Sequence, residues 1–81
     1  MVTYYVVQAF KEGKNQMLVA DDPLEARSER HALSMADRLA GLRAGVIAFS
    51  RSGDPTTGDY EDAVILAQIG RIPEELFEQV A

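Results

Sequence analysis

One stretch of this 81-residue chain gathers several residues able to do chemistry. Between Arg51 and Asp62 run four acids, Asp54, Asp59, Glu61 and Asp62, together with Tyr60, Gly53, Pro55 and Gly58. Carboxylates on a turning backbone are hard oxygen ligands of the kind calcium takes. Paired carboxylates also do general acid–base work, provided a cleft raises the pKa of one. The calcium reading lacks its spacing, since there is no D-x-[DN]-x-[DN]-G run and no glutamate at the required distance. The plain alternative is a solvated hairpin loop: Asp54-Pro55 starts a turn, and Gly53 and Gly58 supply its backbone geometry. Twelve residues is long for such a connection, and long loops carry function more often than short ones. For a small ligand, Arg51, Asp54, Asp59 and Tyr60 are the first candidates.

The other chemical classes find no footing. There is no cysteine, so disulfides and thiolate metal sites are excluded, and the single His31 cannot form a histidine cluster. His31 falls on a helix with no serine or aspartate partner that the sequence can place for nucleophilic catalysis. No G-x-S-x-G elbow surrounds Ser50 or Ser52, and no G-x-G-x-x-G or P-loop pattern occurs. The sequence therefore names no catalytic residue, no metal and no cofactor.

The elements that would position these residues are clearer. The segment 2–10 is β-rich and apolar on both faces. Val2, Tyr4, Val6 and Phe10 project one way and Tyr5, Val7 and Ala9 the other, because strand side chains alternate. A polar break with Gly13 predicts a hairpin into a second strand around 16–20, ended by Asp21-Asp22-Pro23. Two helix starts compete: Asp22 with Pro23 at the first helical position, or Ser28 as N-cap. Ser28 is favoured, because only after it does an amphipathic pattern run cleanly over 29–42. Ala32, Leu33, Met35, Ala36, Leu39, Ala40 and Leu42 fill one half of the wheel, against Arg27, Arg30, His31, Ser34, Asp37 and Arg38. Gly41 and Gly45 are both plausible stops. A third strand over 46–51 and a fourth over 63–69 flank the 51–62 loop. A short helix is expected over 73–78, with proline in its first turn and two acids where the dipole favours them.

The order β-β-α-β-β predicts an α+β two-layer sandwich. Its four-stranded, mainly antiparallel sheet carries the long helix on one face, and the short C-terminal helix completes the chain. The length fits one small domain spanning 1–81. Net charge is −5, from thirteen acids against eight bases, which repels a phosphate backbone and argues against nucleic acid. No apolar run approaches the ~20 residues that span a bilayer. With no secretory leader pattern, the expectation is a soluble cytoplasmic protein with no membrane partner.

The late strands repeat the two-faced character of the first, so the excess apolar surface belongs to the whole sheet. One helix covers one face. The other is closed by Leu76, Phe77 and Val80 folding back, by a second copy, or is left half-exposed. Burying a Val, Leu or Phe side chain is worth ~1.5–3 kcal/mol, so a small domain has reason to close it. The favoured expectation is a homodimer, with Val2, Tyr4, Val6, Phe10, Leu76 and Phe77 as candidate interface residues. Charge is segregated as well, with a basic outer helix face and an acidic C-terminal third, which suits an acidic partner protein or merely a solvated face. The function expected is a non-enzymatic, homodimeric protein-interaction module. The alternative is a small-ligand or minor enzymatic role at the 51–62 loop.

Overall fold

A computed structural model describes residues 1–73. The chain runs β1 (Val2–Glu12), β2 (Leu18–Ala20), β3 (Leu24–Ala26), α1 (Glu29–Ala40), β4 (Gly45–Asp54), β5 (Asp59–Tyr60) and β6 (Val64–Gly70), with a 3-10 turn at Lys14–Gln16 between β1 and β2. The fold is α+β, and every strand pairing in the sheet is antiparallel. Apart from Pro73, the expected short helix over 73–78, with Leu76 and Phe77 on it, lies outside the described residues.

Among the described residues six strands replace the expected four, and the reason is visible in the register. The long strands β1 and β4 pair side by side from Val2↔Gly53 to Phe10↔Gly45. Each has one outer neighbour that is broken in two. Against β1, β2 pairs Phe10↔Ala20 and β3 pairs Val7↔Leu24. Between those pairs lie Gln8 and Ala9 on β1, but Asp21, Asp22 and Pro23 on the other side. One residue is extra, as in a β-bulge, and Pro23 has no N–H to offer the ladder. Gln8 repairs the break: its side-chain amide donates to the Asp21 carbonyl and, at 3.2 Å, to that of Ala9. Against β4, β5 pairs Gly53↔Tyr60 and β6 pairs Ser50↔Val64, with residues 61–63 opposite only Arg51 and Ser52. A second irregularity opposite Ala48/Phe49 leaves Leu66 unmatched. The expected second strand also starts late. Asn15 and Gln16 take left-handed backbone angles (φ 57° and 63°), so the turn consumes residues assigned to strand.

The helix begins where the sequence places it. Ser28 is the N-cap, and its hydroxyl accepts from the His31 N–H at 3.1 Å. His31 reciprocates in the manner of a capping box, its Nδ1 accepting from the Arg27 N–H at 3.0 Å. The helix stops at Ala40 with Gly41 as C-cap. Leu42, expected on its apolar half, therefore lies in the following turn and is 71% exposed.

The core forms between α1 and one sheet face. Ala32 and Ala36 pack against Val7, Ala9, Val46 and Ala48, with Ala26 from β3. Tyr5, Met35, Leu39, Leu66 and Ile69 fill its margins. Small residues on the helix let its backbone approach the sheet closely, and the pleat supplies Val and Ala at matched positions across β1 and β4.

Candidate functional site

Opposite the helix, the sheet presents Val2, Tyr4, Val6 and Phe10 from β1, and Ile47, Phe49 and Arg51 from β4. This second face is divided along its length. At the end near Gly45, Phe10 and Ile47 are buried. At the other end Val2, Tyr60 and Ile65 are each about two-fifths exposed, with Tyr4, Val6 and Phe49 half-buried between them.

The open end holds an aromatic and cationic cluster. Tyr4 and Arg51 are direct cross-strand partners, and Tyr60 sits across the next pair, beside Gly53. The Tyr4 and Tyr60 rings lie 6.4 Å apart, tilted by 42°, and the Arg51 guanidinium carbon is 5.8 Å from the Tyr60 ring centre. That is cation–π range. Gly53 makes the arrangement possible. A Cβ there would meet Tyr60 Cδ1 at 2.3 Å, so only glycine lets the ring lie across the strand. Desolvation pushes the Tyr4 phenol above its usual range, helped by the Tyr60 phenol and then by the Glu25 carboxylate. Glu25 pairs with Val6 and stands on the same face.

Strand alternation separates the four candidate ligand residues. Arg51 and Tyr60 fall on the second face, whereas Asp54 and its partner Asp59 fall on the other. The Asp54 carboxylate accepts from the Thr56 hydroxyl at 2.6 Å and from the Thr56 N–H at 2.9 Å. Those bonds hold its pKa below the ordinary aspartate range, the hydroxyl being the larger cause. Such a carboxylate organises its own turn. Among the described residues no group of three or more His, Asp or Glu side chains is placed to hold a metal ion. What the structure does bring together is Tyr4, expected at an interface, with Arg51 and Tyr60, expected at a ligand site.

The sequence reading missed Glu25 and Phe49 as neighbours of this cluster. Period-two alternation within 46–51 marks Phe49 as facing away from Val46, but only the pairing with β1 says which face that is. Glu25 carried no signal, because its strand is three residues long and was not expected.

On the helix side, Leu24, Met35, Leu39 and Leu42 line an apolar hollow of about 230 Å³ with Arg38 at its edge. It lies between the edge strand β3 and the C-terminal half of α1. No helix of the described residues is long and apolar enough to cross a membrane.

These features define an α+β chain with one covered and one half-open sheet face. No family model, no curated protein and no solved structure matches it.

Proposed function

We propose that this chain is a non-enzymatic protein-interaction module that associates with a second copy of itself through the sheet face opposite the helix. The observation that carries the reading is the Tyr4–Arg51–Tyr60 cluster on an apolar, half-exposed strip. Tyrosine and arginine are, with tryptophan, the residues most enriched among those that dominate binding energy at protein interfaces, because they combine large contact area with polar groups. Apolar neighbours such as Val2, Phe49 and Ile65 exclude water around them. The buried Phe10 end of the face contributes to folding, not to this surface.

The ligand-site alternative at the 51–62 loop draws less support, because Asp54 and Asp59 are turned away from Arg51 and Tyr60 and Asp54 is occupied by Thr56. The cytoplasmic setting proposed with the interaction role rests on the cysteine-free sequence.

The test is gel filtration with light scattering at high micromolar concentration. The expected mass is that of two chains, and Tyr60→Ala shifts the population toward one chain with unchanged helical circular dichroism. A clean monomer for the parent protein at that concentration overturns the proposal.

A further inference from the structure

Among the described strand residues, the open end of this face carries one acid and one base, on opposite sides of its apolar strip. Glu25 stands on β3 at one margin, and Arg51 stands on β4, two strands across and one row further along. With strands ~4.8 Å apart and two residues rising ~7 Å, the two Cα positions are about 12 Å from each other. Both residues are exposed, and neither is in an ion pair among the described residues, whose two bridges are Arg43–Asp21 and Arg71–Glu12. Between them lie Tyr4, Val6 and Phe49.

A surface that pairs with itself must be self-complementary: if residue i meets residue j, then j meets i. A patch bearing a single sign of charge repels its own copy. A patch with opposite charges on either side of an apolar centre does the reverse, and that is the pattern on this face. From this charge placement we infer that two copies pack sheet to sheet with Glu25 of each facing Arg51 of the other. The inference rests on the self-association proposed above and fixes its register. The two-fold axis lies between the two sheets and crosses β1 between Tyr4 and Val6. The strands of the two copies then cross steeply instead of running aligned, and Tyr4 of each copy packs next to the axis at the centre of the interface. Arg51 keeps its contact with the Tyr60 ring while its guanidinium reaches Glu25 of the second copy, so one cation serves both bonds.

Charge reversal reads this register directly. Arg51→Glu leaves two acids on the strip, and Glu25→Arg leaves two bases. Each variant alone is expected to raise the dimer dissociation constant on the order of tenfold or more, because like charges then meet twice per dimer. An equimolar mixture of the two variants restores association, since every acid again meets a base, and the double variant carrying both changes dimerises on its own. Circular dichroism confirms that each variant is folded. If the parent is dimeric and the single variants associate as tightly as it does, or the mixture stays dissociated, the register is wrong and self-association stands. A monomeric parent removes both.

Discussion

Tyr4 shows how a position acquires chemistry from its neighbours. Its phenol is pushed up by desolvation first, then by Tyr60 and Glu25, so the folded state favours the protonated form. Stability from this source is fully present below the unfolded-state tyrosine range and is lost as pH climbs through the raised value. An ultraviolet titration should therefore show one tyrosine ionising late, and Tyr60→Phe should bring that step earlier. An unchanged step would mean Tyr60 has no part in it. Asp54 works with the opposite sign. Its folded pKa lies below the unfolded one, so its contribution is present above the ordinary aspartate range and fades as pH falls through the lowered value. The Thr56 amide resonance should move with an acid midpoint lower than that of a free aspartate, and Asp54→Asn should abolish the transition while keeping the turn. Gln8 is structural. Its amide satisfies the Asp21 carbonyl at the break between β2 and β3, and Gln8→Ala should cost about 1–3 kcal/mol in urea unfolding.

At the scale of elements, the helix is the part most legible in the sequence. Ser28 before an amphipathic run is a local signal, and the Ser28–His31 contact that caps it is local too. The broken outer strands were not legible, because a bulge is a property of two strands in register and not of either alone. Asp21-Asp22-Pro23 announced an interruption, but only pairing to β1 shows the chain resuming on the same edge as β3. The candidate site suffered in the same way. Arg51, Asp54, Asp59 and Tyr60 are close in sequence, and alternation across a hairpin sends them to opposite faces. Gly45 illustrates a constraint that lies entirely in the pairing. It faces Gly70 across the sheet, and a Cβ on Gly45 would come within 1.7 Å of the Arg71 carbonyl oxygen. Gly45→Ala should displace the end of β6 and destabilise the fold by more than the ~1 kcal/mol that separates glycine from alanine intrinsically. Thermal unfolding measures this, and a neutral result would show that the strand ends yield freely.

For the whole molecule, the central fact is a sheet with one face packed under α1 around Val7, Ala9, Val46 and Ala48, and the other buried at the Phe10–Ile47 end and half-open beyond it. The proposed self-association through the open end would link stability to concentration. In the associating range, each tenfold rise in concentration should stabilise the fold by up to about 1.4 kcal/mol per dimer, several degrees of Tm. A Tm independent of concentration across that range would count against pairing. By itself the sequence determined the apolar alternation of the strands, the helix and its cap, and the absence of thiols and of a histidine cluster, since these depend on residue type and short spacing. The tertiary structure alone decided which strands are neighbours, that the outer ones are broken, that Phe10 is buried while Tyr4 is only half-buried, and that Arg51 and Tyr60 join Tyr4 and part from Asp54 and Asp59. Those outcomes depend on register between separate segments, where a shift of one residue exchanges the two faces.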